Sequence, residues 1–486
     1  MEAVMTDVLA RSTGPGRVDP ASRAGTSARR SAPVARDSSV DAIRVALLVV
    51  VFALHAMMVG VSLGPDGPVL ENALEGRPWF AAVSWVVQIM PLFFIAGGFS
   101  SFHHWRSMRQ RGASGADYVR ARVERLVRPA VVLVAVVAAA LVALSLAGLP
   151  PEMVATAGFR IGQPLWFLGV YLATSALVPL MVRAHERARV LTPIVLLASV
   201  VAVDVLRFST GLDGIGFLNL LLVWLLVQQL GFHLADGALD RLTPATLWSI
   251  AAGALALLVV ITAATPYSAD MYENLNPPTV CLVVLGVAQL ALFQLARPRI
   301  RAWIERADAS RPISAVGERA MTVYLWHMPV LVGLAGALLV ANAAFGLALP
   351  EPMSAGWWAT RPLWLSTAAV AVVCVTLVFA RFERARRAAP GRDAAAAGTA
   401  STPASTPTSR RAAAFDAACG VAGVAVVLVA GFGPVQAGIA LALLTIALLG
   451  STSIGPVLAR ATAALRAQRR SRRNGIAMAS QAATTA

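Results

Sequence analysis

The chain has 486 residues, of which 57% are hydrophobic and only 14% are charged, and its mean hydropathy is +0.69. A soluble domain of this length cannot hide so much apolar surface from water, so the composition excludes a soluble globular protein and indicates a polytopic membrane protein. All the basic residues behind the net charge of +16 are arginines, because the sequence contains no lysine. In a membrane protein such charge is typical of inward-facing loops and of contacts with anionic lipids. We therefore expect membrane lipids and no nucleic acid as partners.

The chain begins with a polar segment. Residues 1–40 are rich in Arg, Ser, Pro and Ala and lack the apolar core of a secretory signal, which predicts a disordered cytoplasmic tail. Later in the chain, Cys281, Cys374 and Cys419 all fall inside apolar runs, and no Cys-x-x-Cys occurs. Neither a disulfide framework nor a metal site is therefore predicted.

Apolar runs dominate the rest of the sequence. A helix needs about 20 apolar residues to cross the hydrocarbon, and a lipid-facing backbone must satisfy its own hydrogen bonds. The sequence therefore predicts an all-α fold with twelve transmembrane helices, near residues 42–63, 79–99, 129–149, 164–182, 191–207, 215–235, 247–265, 279–296, 321–345, 362–380, 415–432 and 434–455.

The arginines predict an orientation. If the N-terminus is cytoplasmic, only Arg77, Arg160, Arg207 and Arg361 lie at or near outward connections, and the other arginines lie on or near the inner side. The positive-inside rule then predicts a multi-pass protein of the cell membrane with both termini in the cytoplasm.

Composition divides the chain into a larger and a smaller membrane unit. Residues 41–385 contain the first ten predicted helices, and residues 386–414 form a low-complexity stretch that predicts a flexible cytoplasmic linker. A two-helix transmembrane hairpin follows at 415–455, and a basic cytoplasmic tail at 456–486.

The first apolar run carries two ionisable side chains. Arg44 and His55 are eleven residues apart, which is about 20° past three helical turns, so they share one helix face at roughly 16 Å separation along the axis. We expect Arg44 at the cytoplasmic edge and His55 near the membrane midplane. Histidine is the usual general base, and arginine can bind phosphate or steady an oxyanion. Alternatively, Arg44 only marks the inner boundary and His55 bonds a neighbouring helix.

Five segments occur in the order typical of one membrane enzyme family. An arginine, ten residues and a histidine in the first transmembrane helix resemble the acyltransferase-3 family, and the resemblance extends over about residues 38–385. The segments are RVALLVVVFALH (44–55), PLFFIAGGF (91–99), RVERLVRP (122–129), PLWFLGVYL (164–172) and AMTVYLWHMPVL (320–331). Where the family usually has Ser-Gly-Phe, this chain has Gly97-Gly98-Phe99.

The resemblance implies a membrane acyltransferase. It would move an acyl group, often acetyl, from acyl-CoA to a hydroxyl or amine of a glycan, lipid or small-molecule acceptor, with no bound cofactor. His55 would be the catalytic base, and Arg44 would orient the donor or stabilise the oxyanion. Arg122 and Arg125 would bind the phosphates of coenzyme A; the alternative for both is a purely topogenic role.

The resemblance also points to three further site residues, each with a structural alternative. Trp166 would line the acceptor entrance, unless it is an interfacial anchor. Tyr324 and His327, three residues apart, would support the site, unless His327 is an ordinary interhelical histidine.

Other polar residues suggest no chemistry of their own. Asp204 and Arg207 are expected to neutralise each other, or to contact an acceptor. His103 and His104 are expected to lie on the surface of a loop.

A secondary transporter is the alternative function, because twelve helices fit one. Repeat transporters divide six plus six, however, whereas the long linker of this chain follows the tenth predicted helix.

Overall fold

The chain is almost entirely helical where its structure is described. A computed structural model describes residues 37–64, 67–382 and 409–450. The helices are α1 (Ser38–Met58), α2 (Pro78–Val87), α3 (Met90–Gln110), α4 (Gly115–Leu146), α5 (Pro151–Gly162), α6 (Leu165–Arg187), α7 (Leu191–Thr210), α8 (Asp213–Gly216), α9 (Asn219–Ala235), α10 (Pro244–Ala264), α11 (Val280–Arg306), α12 (Ser310–Gly317), α13 (Ala320–Phe345), α14 (Ala355–Phe379), α15 (Arg410–Ala430) and α16 (Pro434–Leu449). Short 3₁₀ segments lie at Ala238–Arg241 and Ala380–Phe382, and one hairpin pairs β1 (Val59–Gly64) with β2 (Gly67–Asn72).

The described residues include 11 helical segments that are long and apolar enough to cross a membrane. The predicted all-α polytopic membrane fold is therefore confirmed. The last of the twelve predicted runs, 434–455, forms the shorter helix α16, which ends where Gly450 takes a left-handed φ of 73°. The predicted tails and linker fall largely outside the described residues, although α1 begins at Ser38 and α15 at Arg410, inside the predicted tail and linker.

The first predicted run is helical over only part of its length. Helix α1 ends at Met58, and residues 59–64 turn into strand β1, antiparallel to β2 with Val59 opposite Asn72. The glycines and β-branched valines in Val-Gly-Val-Ser-Leu-Gly favour a strand over a continued helix. The prediction of a helix to residue 63 was therefore wrong at its C-terminal end.

Close helix packing depends on small residues. Helices α3 and α9 cross where Gly98 faces Gly231: a Cβ on Gly98 would lie 2.5 Å from the carbonyl oxygen of Gln228. In a membrane, helices associate through such close backbone contact because lipid is as apolar as the side chains. The crossing fixes α3 beside α9, and a hydrophobic cluster that includes Phe94 and Trp224 packs around it.

Helices α15 and α16 pack along α4 and α6. Val424 and Val427 of α15 and Leu444 of α16 belong to the same buried cluster as Leu168 of α6 and Leu133 of α4. The two C-terminal helices therefore share a hydrophobic core with the first ten predicted helices.

Two ends of the helix bundle bear on the candidate site. The basic end comprises the last turns of α3, the connection to α4 and the first turns of α4, with Arg106, Arg109, Arg111, Arg120, Arg122 and Arg125. The hairpin end is the C-terminal end of α1, where β1 and β2 follow Met58.

We predict that Gly231→Ala destabilises the protein, because the added Cβ would lie 2.9 Å from the amide nitrogen of Phe99 and 3.0 Å from Gly98 Cα. Overpacking of this kind costs about 1–3 kcal/mol. The matched control is Gly253→Ala, since no atom lies within 4 Å of a Cβ there. Thermal unfolding in detergent should show a lower midpoint for Gly231→Ala only; equal midpoints for the two variants would contradict the tight crossing.

Candidate active site

Two histidines meet between helices α1 and α13. His55 Nδ1 lies 2.8 Å from His327 Nε2, and the two rings are stacked with centroids 4.9 Å apart and planes 16° apart. His327 is only 1% exposed, whereas His55 is partly exposed. The expected alternative for His55, a bond to a neighbouring helix, is thus present in the structure, and its partner is another residue singled out from the sequence.

The hydrogen bonds fix the tautomers of two neutral rings. His327 Nδ1 lies 2.6 Å from the carbonyl oxygen of Tyr324, and a carbonyl only accepts, so Nδ1 of His327 carries the proton. Nε2 of His327 must then accept from the protonated Nδ1 of His55. This leaves Nε2 of His55 with a free lone pair, which is the form that a general base requires.

Tyr324 anchors this part of α13 to the start of α6. Its hydroxyl donates to the carbonyl oxygen of Pro164 at 2.6 Å, and its ring meets Phe167 edge-on at 5.1 Å between centroids. The ring of Trp166 lies 6.0 Å from that of Trp224 on α9. Pro164 and Phe167 are therefore the contacts to Tyr324, while Trp166 packs in an aromatic cluster with α9.

His55 lies in the last turn of α1, three residues before the helix ends at Met58. It is therefore nearer the hairpin end than the middle of α1. The expectation of a midplane histidine assumed that the helix continues to residue 63. Next to His55, the indole Nε1 of Trp364 donates to the carbonyl oxygen of Ala56 at 2.8 Å, so α14 holds the end of α1 in place.

Arg44 lies on the N-terminal half of α1, away from His55. Its side chain is partly buried. Since the helix is continuous from Ser38 to Met58, the expected separation of roughly 16 Å between Arg44 and His55 along the axis is kept.

Arg122 and Arg125 have different surroundings on α4. Arg122 is partly buried: its Nε donates to the Tyr118 hydroxyl at 3.1 Å, and its guanidinium lies 5.2 Å from the centre of the Tyr118 ring. Arg125 is exposed. A ligand that bridged both arginines would have to lie at the surface of the basic end.

A series of aromatic rings runs from Arg122 towards the histidine pair. Tyr171 is close enough to Arg122 for an electrostatic interaction, and its ring stacks on Phe167 at 5.3 Å. Phe167 meets Tyr324, whose ring lies 6.1 Å from that of His327. Tyr118, Tyr171 and Phe167 were not predicted from the sequence as site residues. The one local signal was the four-residue spacing of Tyr118 and Arg122 on a helix.

Comparison with known proteins decides the family. A family model described as an acyltransferase domain, that of the acyltransferase-3 family, matches residues 37–381. The chain belongs to this family. The resemblance in the five segments is thereby confirmed, and the protein is a membrane acyltransferase. No curated protein and no solved structure gives a match to the chain.

In this acyltransferase, the absence of a side chain at Gly97 leaves room for the ring of Tyr171. A Cβ at Gly97 would lie 3.2 Å from Cε2 of Tyr171. Tyr171, one of the rings in the aromatic series, thus occupies the space that a side chain at position 97 would need.

Asp204 and Arg207 do not pair with each other. Asp204 accepts hydrogen bonds from Asn219 Nδ2 at 2.8 Å, from the Tyr267 hydroxyl at 2.8 Å and from the Val280 amide at 2.9 Å. Arg207 instead contacts Asp213 at 2.9 Å. The expected pairing was wrong, because Asp204 is buried and ties the 266–279 loop to α7. Burial and the Asp204 carboxylate raise the pKa of Tyr267, which keeps its hydroxyl a donor.

One group of side chains has the geometry of a metal site. His185, His233 and Asp236 have ligand atoms within 4.8 Å of one another. Both ring nitrogens of His185 are engaged, however: Nε2 with Asp236 at 2.9 Å and Nδ1 with Gln229 at 3.0 Å. Asp236 also pairs with Arg189. A metal would have to displace this network.

His103 and His104 lie on helix α3 and not in a loop, so the expected loop was wrong, although His104 is exposed as expected. Helix α3 continues past the apolar run to Gln110, and the His103 ring packs on Phe99 with centroids 4.6 Å apart.

We predict that His55 is protonated at Nδ1 in the resting protein. The chain has 6 histidines, so ¹⁵N-histidine labelling gives a spectrum simple enough to assign with His55→Gln and His327→Gln. His327→Leu removes the acceptor and should release His55 to a mixture of tautomers. A His55 signal protonated at Nε2 in the unchanged protein would contradict the assignment.

Proposed function

We propose that the protein transfers an acyl group from acyl-CoA to a hydroxyl or amine of a glycan, lipid or small-molecule acceptor. The observation that supports this most is the His55–His327 hydrogen bond, because it leaves Nε2 of His55 ready to accept a proton. No covalent acyl-enzyme is part of the proposal.

In the proposed reaction, His55 Nε2 takes the proton from the acceptor hydroxyl or amine while the acceptor atom attacks the thioester carbonyl carbon. The tetrahedral intermediate then collapses, the carbon–sulfur bond breaks, and the coenzyme A thiolate leaves. The imidazolium of His55 returns the proton to the departing sulfur, so the histidine ends neutral. His327 keeps the His55 ring oriented and accepts from its Nδ1–H throughout.

Distance favours one of the two roles considered for Arg44. A group that stabilises an oxyanion must lie about 3 Å from it. Arg44 is roughly 16 Å from His55 along α1, so it does not reach a carbonyl that reacts at His55. We therefore assign Arg44 to donor binding, away from the reacting carbon.

We assign the nucleotide phosphates of the donor to Arg122 at the basic end. Its guanidinium is oriented by Tyr118 and can form charge-assisted hydrogen bonds with phosphate. The concentration of arginine there supports a cytoplasmic location for this end, where acyl-CoA is available. Exposed Arg125 adds electrostatic attraction for the phosphates at the surface of the basic end.

We place the acceptor at the hairpin end. His55 lies in the last turn of α1, directly before the hairpin, so an acceptor that enters there has the shortest path to the base. Donor and acceptor then approach from opposite ends of the bundle.

The test of the proposal is turnover by the purified full-length protein in detergent. Acetyl-CoA is supplied with an extract of host membrane lipids, glycans and metabolites; free CoA is measured, and acylated products are sought by mass spectrometry. We expect CoA release that depends on the extract, because catalysis needs no gradient. A protein that is folded but inert here, and that moves a solute only across sealed vesicles, would favour a transporter instead.

We predict that Arg122→Gln raises the KM for acetyl-CoA about tenfold, because one charge-assisted phosphate contact is worth about 1.5–3 kcal/mol. The matched control is Arg128→Gln on the same helix, about 240° further round its axis. Steady-state kinetics at fixed ionic strength checks both. An equal rise for both variants would show a general effect of charge and overturn the specific role of Arg122.

A further inference from the structure

Helices α15 and α16 lie beyond residues 37–381, the range matched by the family model. They pack against α4, the helix that carries Arg122 and Arg125, and against α6, which carries Phe167 and Tyr171. The chain therefore has an added helix pair in direct contact with two helices of the candidate site.

The pair brings a buried carboxylate to the basic end. Asp416 of α15 is 1% exposed, and its Oδ2 lies 3.9 Å from Nη1 of Arg120. Arg120 also contacts Glu124 at 3.2 Å, one turn later on α4. A buried carboxylate is costly to keep in an apolar interface, and an apolar side chain there would pack at lower cost.

The other helix of the pair reaches the same guanidinium. Gly450, which ends α16, lies so close to Arg120 that any side chain at this position would overlap it. The carbonyl groups at the end of a helix carry partial negative charge and favour a nearby cation. Both added helices thus lie against the Arg120 guanidinium, α15 through Asp416 and α16 through Gly450.

Arg120 and Arg122 point to opposite sides of α4. Two residues correspond to about 200° on a helix. Arg120 faces α15 and α16, whereas Arg122 lies against Tyr118, whose ring packs on Trp105 of α3. The first turns of α4 are therefore held between the added pair and α3.

We propose that Asp416 is a positioning residue for donor binding. Through Arg120 it holds the first turns of α4 in the position that presents Arg122 to the phosphates of acyl-CoA. The inference rests on the proposed function, and it makes the added helix pair part of the donor site. A small displacement of a binding group is enough to weaken such an interaction markedly.

The test uses the full-length protein in detergent and a double-mutant cycle of Asp416→Asn and Arg120→Gln. Asp416→Asn leaves no buried charge behind, and Arg120 is 28% exposed, so the variant should fold. We expect each single variant to raise the KM for acetyl-CoA about tenfold with kcat unchanged. The double variant should show a KM no higher than those of the single variants. Equilibrium binding of CoA should weaken in parallel.

Glu124→Gln is the matched control, because it removes the more exposed carboxylate from the same guanidinium and should leave KM within about twofold. An Asp416→Asn variant that loses thermal stability but keeps the donor KM would overturn the inference, as would independent effects of the two substitutions. If the unchanged protein releases no CoA, the proposed function fails; if it does and Asp416→Asn binds CoA normally, only this inference fails.

Discussion

A hydrogen bond of 2.8 Å joins His55 on α1 to His327 on α13, 272 residues later in the chain. Polar groups inside a membrane protein are costly unless they are partnered, so each ring must be satisfied by a neighbour. The Tyr324 carbonyl partners His327, and His327 in turn partners His55. The single ring nitrogen left over is Nε2 of His55, and the assignment of a base depends on it.

Neighbouring helices fix the positions of α13 and α1, which carry the two histidines. The Tyr324 hydroxyl on the carbonyl of Pro164 ties α13 to α6, and the Trp364 indole on the carbonyl of Ala56 ties α14 to α1. Rigid placement of a base matters because proton transfer requires a hydrogen-bond distance to the reacting group. Backbone carbonyls accept both of these hydrogen bonds, whereas the orientation of the His55 ring itself depends on the His327 side chain.

Charge and base are separated along the bundle. Arginines are concentrated at the end of α3 and the start of α4, whereas His55 lies next to the hairpin. A long donor with phosphates at one end and a thioester at the other suits this separation. The aromatic series of Tyr171, Phe167 and Tyr324 lies between the two regions, with α15 and α16 bracing the arginine-bearing helix.

The sequence predicts local features well. Apolar length identified the membrane helices, and Arg44 and His55 share a face because helical geometry alone sets their spacing. The family resemblance placed His55 and His327 at one site, but their direct hydrogen bond was not predicted, because a single sequence gives no distance between residues 55 and 327. The same holds for Asp204, whose partner Tyr267 lies on a distant loop. Residues 59–64 were misassigned because apolar length alone does not distinguish a helix end from a strand.

The most direct test is the rate of CoA release from acetyl-CoA by His55→Gln, with the same membrane extract as acceptor source and the full-length protein in detergent. We expect a fall in kcat of about 10²–10⁴-fold, with an unchanged thermal midpoint and unchanged KM for acetyl-CoA. A folded His55→Gln protein that releases CoA at the unchanged rate would show that His55 is not the base.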